Sequence, residues 1–393
     1  MIDIKEKKDC CGCSACVQKC PKQCISLKED CEGFLYPEVD KSICIDCGLC
    51  EKVCPVLYQE LSTKPLNVYA AINKNETIRL QSSSGGIFSL LAEKIINEGG
   101  VVFGARFDKN WEVMHDYSET IEGLSAFRGS KYVQSRIGNT YIAARKFLEE
   151  GRWVLFSGTS CQIAGLKRYL RKEYNKLLTV DVICHGVSSP LVWREYLKEI
   201  NQKNIKITQI SFRDKIKGWK KFSLSICFSS YTDTHENFYF HETLDENIYL
   251  QLFLHNLCLR PSCSNCPSKS GKCNSDISLA DYWGIIRINP KMYDNKGTSL
   301  LLINTSKGKD IFYELDSKFA ETSYIQALRF NPAIENSCLV TNDSVEFWSL
   351  FNRSKLQDIE EFLKRFTPSF KTKIMSYIKS VIANIIDLYY KKQ

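Results

Sequence analysis

Residues 10–21 read Cys-Cys-Gly-Cys-Ser-Ala-Cys-Val-Gln-Lys-Cys-Pro, and residues 44–55 read Cys-Ile-Asp-Cys-Gly-Leu-Cys-Glu-Lys-Val-Cys-Pro. Both stretches contain four cysteines, at 10, 13, 16 and 20 and at 44, 47, 50 and 54, that are separated by two, two and three residues, and a proline directly follows the last one. Cys11 is an additional cysteine in the first stretch. The apolar pieces between these cysteines are too short to bury a core of their own. We therefore expect residues 1–60 to fold around metal.

The doubled spacing is typical of bacterial two-cluster ferredoxins, in which three close thiolates bind one [4Fe-4S] cluster and the fourth cysteine binds the other cluster. Zinc is the alternative, but zinc sites use cysteine pairs or Cys/His sets at wider separation. The predicted ligands of the first cluster are Cys10, Cys13, Cys16 and Cys54. The predicted ligands of the second cluster are Cys20, Cys44, Cys47 and Cys50.

The composition is that of an ordinary globular chain, with 393 residues of which 44% are hydrophobic and 25% charged. The 53 Lys and Arg exceed the 45 Asp and Glu by a modest excess that is spread along the chain, so no nucleic-acid partner is expected. We find no signal segment and no apolar run of transmembrane length, and we expect a cytoplasmic location. In a reducing cytosol, 19 cysteines indicate metal or redox chemistry.

From Val68 onward, apolar runs with strand periodicity alternate with runs of helical periodicity, which predicts a mixed, partly parallel sheet with helices packed on it. One strand-helix-strand unit is expected at 68–104, and a second at 153–183. Antiparallel strands are expected between 205 and 245, and the last quarter of the chain is predicted to be mainly helical.

Cys161 and Cys184 follow the ends of two successive predicted strands, so in a parallel sheet their thiols would meet at one edge. The pair Cys263 and Cys266 could complete a third [4Fe-4S] site there. The alternative is a purely local site, formed by Cys258, Cys263, Cys266 and Cys273. The spacing does not decide between these two sites. A third interpretation makes Cys161 a nucleophile near His185, but no orienting acid is identifiable.

Five residues before the first long predicted helix could bind an anion through their backbone N–H groups and hydroxyls. They are Ser82, Ser83, Ser84, Gly85 and Gly86. A dinucleotide or flavin phosphate would fit, and an ordinary helix cap is the alternative. The sequence holds no G-x-G-x-x-G and no Walker A motif, so an ordinary Rossmann or P-loop site is not supported.

The chain resembles the coenzyme F420 hydrogenase/dehydrogenase beta subunits over nearly its whole length. The resemblance rests on the dicluster module and on motifs at 84–86, 127–132, 158–162, 183–186, 263–266 and 275–284. It implies bound FAD beside a [4Fe-4S] cluster whose ligands are Cys161, Cys184, Cys263 and Cys266. The spatially assembled third site is thereby favoured over the local one.

The resemblance also implies that residues 82–86 hold FAD phosphates, together with a second segment formed by Arg128, Gly129, Ser130, Lys131 and Tyr132. It places His185 beside the cofactor, where it is predicted to be the catalytic proton donor or acceptor. The predicted organisation is a two-cluster ferredoxin-like domain at 1–60, then the N-terminal and C-terminal regions of the family at 67–150 and 151–310, and a helical extension at 311–393.

The sequence therefore predicts an FAD and [4Fe-4S] dependent oxidoreductase. It would pass electrons between a ferredoxin or other redox partner protein, the clusters, FAD and a small-molecule hydride donor or acceptor, which is coenzyme F420 or another substrate. The alternative is a non-catalytic electron-transfer subunit of a hydrogenase or dehydrogenase complex. Residues 371–393 predict an amphipathic helix, for which packing on the protein is favoured over peripheral membrane contact.

Overall fold

The computed structural model describes residues 1–229, 237–351 and 356–366. The chain divides into two compact units, residues 1–341 and the residues from 342 onward. The predicted amphipathic helix at 371–393 lies outside the described residues. Within the described residues, no helix combines the length and the apolar character that crossing a membrane requires.

The strands are β1 (Ile25–Glu29), β2 (Leu35–Val39), β3 (Asn67–Asn73), β4 (Val101–Phe107), β5 (Val113–Ser118), β6 (Val154–Thr159), β7 (Leu177–Val182), β8 (Ile207–Asp214), β9 (Ser223–Phe228), β10 (Phe238–Thr243), β11 (Ile277–Asp281), β12 (Ser299–Ile303) and β13 (Ser317–Thr322). The helices are α1 (Ala15–Lys19), α2 (Leu49–Lys52), α3 (Glu76–Gln81), α4 (Ile87–Asn97), α5 (Thr140–Glu149), α6 (Ser160–Leu170), α7 (Pro190–Ile200), α8 (Ile248–Leu254), α9 (Ile285–Ile288), α10 (Ser306–Tyr313), α11 (Tyr324–Phe330), α12 (Asn342–Phe351) and α13 (Leu356–Leu363).

The main sheet of the first unit is mixed and has the strand order β13-β3-β12-β11-β7-β6-β4-β5. Its central strands β4, β6, β7 and β11 run parallel to one another, and antiparallel strands complete both sides. A separate antiparallel sheet is formed by β8, β9 and β10, as the alternating sequence predicted. The predicted fold class, a mixed sheet with parallel strands and helices, is confirmed.

Both faces of the central strands are covered, which explains their continuous apolar sequences. In β6, Leu155 packs on the side of α4 and Phe156 packs on the side of α5 and α6, and both side chains are fully buried. Successive residues of a strand point to opposite faces, so one short strand supplies two cores. This double packing holds the carboxyl ends of β6 and β7 rigidly at one edge of the sheet.

The predicted helical extension at 311–393 contains a strand. β13 pairs antiparallel with β3, in register from Ser317 opposite Asn73 to Thr322 opposite Val68. Its sequence has apolar residues only at Phe319 and Ala320, so its strand pattern is weak, and the pairing depends on the open edge of β3. In the described part of the extension the remaining regular segments are helical.

The cysteine-rich N-terminus forms the hairpin β1-β2 and two short helices, α1 and α2. Gly33, just before β2, packs so closely on α7 that a Cβ atom would lie 2.3 Å from the Cβ of Leu191. The Ser189 hydroxyl, at the start of α7, donates a hydrogen bond to the Glu32 carbonyl oxygen. These contacts seat the N-terminal segment against the body of the first unit.

His115 on the edge strand β5 is buried and provides a test of the packing. Its Nε2 lies 3.0 Å from the carbonyl oxygen of Ser157, and its Nδ1 lies 2.9 Å from the Ser135 hydroxyl. Burial lowers the pKa of His115 to about 4. Between this value and the ordinary pKa near 6.5, the unfolded chain binds a proton that the folded chain excludes, so stability falls as the pH falls.

We expect the free energy of unfolding of the wild type to drop by about 1.4 kcal/mol more than that of His115→Gln between pH 7.5 and 5.5. Glutamine retains polar contacts but carries no proton to titrate. Urea unfolding of both proteins at the two pH values measures the difference. Equal pH dependence in the two proteins would show that His115 does not titrate on unfolding.

Candidate iron-sulfur and cofactor site

Two recesses in the N-terminal segment are each lined by one of the predicted ligand sets. The first recess is lined by Cys10, Cys13, Cys16 and Cys54, together with Cys11. The second is lined by Cys20, Cys44, Cys47 and Cys50, together with Cys24. The fold thus brings the last cysteine of each motif to the three close cysteines of the other motif. Four thiols around one recess are a donor set that fits a [4Fe-4S] cluster.

The helices that position these thiols are short, and each begins just after a residue with left-handed backbone conformation. Ser14 and Gly48, the residues before α1 and α2, both have positive φ, at 59° and 67°. The chain therefore turns sharply between the second and third cysteine of each motif, which wraps the thiols around the recess. The exposed Cys47 places the second recess nearer to solvent than the first, whose Cys13 is buried.

The thiols of the proposed third site come from three separate parts of the body. Cys161 lies in the first turn of α6, just after β6, and Cys184 follows the end of β7. The side chains of Cys161, Cys184 and Cys266 lie close enough to influence one another electrostatically, and Cys263 is coupled in the same way to Cys161 and Cys184. The parallel pairing of β6 and β7, from Val154 opposite Leu177 onward, is what brings the first two together.

The two other cysteines of the local alternative have different partners. Cys258 is buried near the Tyr249 phenol, and the Ser189 backbone donates to it. Cys273 is buried beside Ser275 and Asp181. The arrangement therefore favours the spatially assembled set over the local set.

Burial keeps the third-site thiols protonated in the absence of metal. It raises the pKa of Cys184 to about 12 and that of Cys266 to about 11. A thiol must lose its proton to bind iron, so these residues depend on the charge of a bound metal to become thiolates.

Cys11 connects the first recess to the third site. Its buried thiol is within hydrogen-bonding reach of both Cys13 and Cys161. The Cys13 side chain also packs on α6, where a Cβ at Gly165 would lie 3.0 Å from its sulfur. The first N-terminal recess and the third site are therefore neighbours within the fold.

The two predicted FAD segments lie side by side. The Ser83 hydroxyl accepts a hydrogen bond from the Ser130 backbone N–H at 2.7 Å and lies 2.9 Å from the Ser130 hydroxyl. Arg128 donates to Gln81 Oε1 at 2.8 Å. The half-buried side chains of Ser83, Arg128 and Ser130 thus form a patch that presents hydroxyl and guanidinium groups.

Other members of the two segments serve the fold itself. The Ser82 hydroxyl donates to Ile78 and the Ser84 hydroxyl to Thr298. Gly85 lies so close to β3 that a Cβ would come within 2.4 Å of the Ala71 carbonyl oxygen. Gly86 has φ +82°, a conformation that glycine adopts without strain. These four residues build the turn before α4.

Lys131 and Tyr132 are also held by internal contacts. The Lys131 ammonium donates to the carbonyl oxygens of Ala126 and Arg128, and burial lowers its pKa to about 7. The Tyr132 ring stacks on Phe253 with the ring centroids 4.4 Å apart. A phosphate bound nearby would favour the charged form of Lys131. The face of the Tyr132 ring that packs on Phe253 is not open to a ligand.

Arg213 on β8 joins this site, although no motif in the sequence marks it. Its guanidinium makes a two-point ion pair with Asp281 at 2.9 and 3.1 Å and donates to the Tyr132 hydroxyl and the Ser83 carbonyl oxygen. Its Nε is buried and has no acceptor among the described residues. An orphaned buried N–H at the meeting point of both segments fits an anionic ligand such as FAD.

His185 lies beside the third site, one residue after Cys184. Its Nε2 is 2.6 Å from Asn256 Oδ1, and its ring meets the edge of Phe253 at 5.1 Å between centroids. Burial lowers the pKa of His185, so the imidazole is neutral at pH 7. Trp283 stacks on Trp219, whose ring N–H donates to Asp281.

Thiol sets of this kind are typical of iron-sulfur electron-transfer proteins, and comparisons with known proteins agree. Residues 151–327 match the model for the C terminus of the coenzyme F420 hydrogenase/dehydrogenase beta subunit, and residues 9–57 match the 4Fe-4S dicluster domain. The chain thus carries a region of the coenzyme F420 hydrogenase/dehydrogenase beta-subunit family and, ahead of it, a 4Fe-4S dicluster domain of ferredoxin type. It is therefore an iron-sulfur protein of an oxidoreductase family.

Similar proteins match either the module or a larger part of the chain. A subunit of the F(420)H(2) dehydrogenase of Methanosarcina mazei is 24% identical over 221 residues, which are 52% of this chain and 62% of that protein. A 7Fe ferredoxin of Hydrogenibacillus schlegelii is 47% identical over 49 residues, 12% of this chain and 56% of the ferredoxin. A chain of the F420-reducing [NiFe] hydrogenase complex from Methanosarcina barkeri aligns with a TM-score of 0.46 and 16% identity, covering 73% of this chain and 90% of that chain.

Proposed function

We propose that this chain is a cytoplasmic FAD-dependent iron-sulfur oxidoreductase that transfers electrons between a ferredoxin-like partner and an organic hydride donor or acceptor, coenzyme F420 or a compound of similar chemistry. The observation that carries the proposal is the adjacency of three thiol sets and one anion-accepting patch. Bound FAD would supply the conversion between two-electron hydride transfer and the one-electron chemistry of the clusters.

The residues of the chain would act by holding the clusters and FAD one after another along an electron-transfer path. The set around Cys47 is nearest to solvent and suits exchange with an external partner. The set around Cys13 contacts α6 and so adjoins the third site. Arg213, Arg128 and Ser130 would hold the FAD phosphates, since they offer charge and hydrogen-bond donors at one place.

A non-catalytic electron-transfer subunit is the second candidate. The observation in its favour is that Lys131, Tyr132, Ser82 and Ser84 are already engaged within the protein. In that case the chain would conduct electrons to a partner that performs the hydride chemistry.

The two candidates differ in the cofactors of the anaerobically purified protein. About twelve irons, as many acid-labile sulfides and one FAD per chain are expected for the oxidoreductase. About eight irons without flavin would overturn both the third cluster and the flavoenzyme, and would leave a ferredoxin-like carrier.

We expect His185→Ala to retain iron and flavin and to lose roughly 100-fold or more of turnover with the physiological hydride donor or acceptor, as the loss of a general acid or base would. The matched control is His255→Ala, since His255 follows α8 and makes a partly buried contact with Gln251 in the same region. Steady-state assays of both variants measure the effect. Full activity of His185→Ala would remove the catalytic assignment.

A further inference from the structure

The guanidinium of Arg260 is fully buried between the first N-terminal recess and the third site. Its relative exposure is 0%, and its three nitrogens donate to the carbonyl oxygens of Cys10 and Leu35, at 2.7 and 3.0 Å, and to Gln134 Oε1, at 2.9 Å. The group also lies over the Tyr36 ring, 4.3 Å from its centroid. Three of these partners, Cys10, Leu35 and Tyr36, belong to the ferredoxin module, although Arg260 itself does not.

The same residue organises both ligand loops. The Cys263 backbone N–H donates to the Arg260 carbonyl oxygen at 2.9 Å, so Arg260 is part of the turn that presents a third-site thiol. On the module side, Gly12 lies so close that a Cβ there would be 2.9 Å from Arg260 Nη1. Gln134 fixes the loop further, because its Nε2 donates to the Cys11 carbonyl oxygen.

No carboxylate of the described residues lies within ion-pair distance of Arg260. Glu32 is near enough for its charge to interact with the guanidinium, but its ion pair is with Lys7, at 3.4 Å. A buried cation without a paired anion is costly. Two adjacent sites that would carry anionic iron-sulfur clusters supply the missing negative charge.

We propose that Arg260 is a positioning residue that couples the cluster of Cys10, Cys13, Cys16 and Cys54 to the cluster of Cys161, Cys184, Cys263 and Cys266. It holds the two ligand loops together, and its charge raises the reduction potentials of both clusters, since a nearby cation favours the reduced and more negative state. Electrons therefore cross between the ferredoxin module and the rest of the first unit at these two clusters, and Cys11 lies between them. The proposal rests on the function proposed above, specifically on an occupied third site.

Redox titration of the anaerobic holoprotein, followed by electron paramagnetic resonance, tests the proposal. In Arg260→Gln, two of the three cluster potentials are expected to shift downward while the potential of the cluster around Cys47 stays unchanged. Gln134→Glu is a second, nearly isosteric variant, which places a carboxylate on Arg260 and should shift the same two potentials downward. Arg260→Lys keeps the charge, so its potentials should remain near those of the wild type.

The matched control is Arg194→Gln. Arg194 also joins module and body, through ion pairs with Glu29 and Glu112, but it is partly exposed and its partners are carboxylates. Its removal should leave all three potentials unchanged. Unshifted potentials in both Arg260→Gln and Gln134→Glu, with about twelve irons in the wild type, would overturn this inference alone. A wild type with about eight irons would overturn the proposed function and this inference together.

Discussion

Replacing Cys161 by alanine is expected to lower the iron content from about twelve to about eight atoms per chain and to abolish electron transfer between the N-terminal clusters and the flavin. The reason is that Cys161 lies in the first turn of α6 and interacts with Cys184, Cys263 and Cys266, the other three thiols of the spatially assembled set. Iron and sulfide analysis measures the first effect. Reduction of the bound flavin by a reduced ferredoxin measures the second.

Cys258→Ala and Cys273→Ala are the matched controls, because both residues are buried cysteines of the same region. Each should retain about twelve irons. Loss of four irons in these variants, with normal iron in Cys161→Ala, would instead establish the local site. The three variants together therefore separate the two arrangements that the cysteine spacing leaves open.

Replacing Arg213 by glutamine is expected to reduce the free energy of unfolding by about 3–5 kcal/mol, because it leaves a largely buried carboxylate without its cation. The Arg213 and Asp281 side chains are 4% and 15% exposed. Burial alone would lower the pKa of Arg213, but the charge of Asp281 outweighs this effect and raises it. The same variant should purify without flavin, since it removes a phosphate-binding charge.

The double variant Arg213→Gln with Asp281→Asn should be less destabilised than the sum of the two single variants, because it removes both charges at once. Urea unfolding of the four proteins measures this coupling. Additive effects would mean that the pair contributes little, and normal flavin content in Arg213→Gln would remove this residue from the cofactor site.

The grouping of the N-terminal cysteines around two recesses could be predicted from the sequence because it follows from one motif that occurs twice. A repeated spacing of cysteines and a following proline determine which thiols face one recess, and the recesses are lined as that spacing predicts. The parallel strands could be predicted for a similar reason, since runs such as 154–156 are apolar at every position. The same reasoning missed β13, whose strand pairing depends on the neighbouring edge of β3.

The partners of the third site could not be derived in this way. Cys184 and Cys263 are far apart in the chain, and their approach depends on where the loop after α8 folds back. Arg260 and Arg213 are single charged residues without periodicity or motif, and each acquires its role only from atoms that the fold brings to it. For Arg260, the sequence offered one signal, since this residue directly precedes Pro261 and lies three residues before Cys263. For Arg213, the only signal was a charged residue inside a predicted strand.

The packing of the N-terminal segment on the rest of the first unit determines what happens when this segment is removed. Gly33 packs directly on Leu191, and the Cys10 and Leu35 carbonyl oxygens satisfy a guanidinium that belongs to the body. A chain cut after residue 60 would expose that cation and the thiol edge of α6 to water. A chain without residues 1–60 would therefore need another protein to cover Arg260 and this edge of α6. We expect loss of the ferredoxin module to be accompanied by binding of such a partner protein.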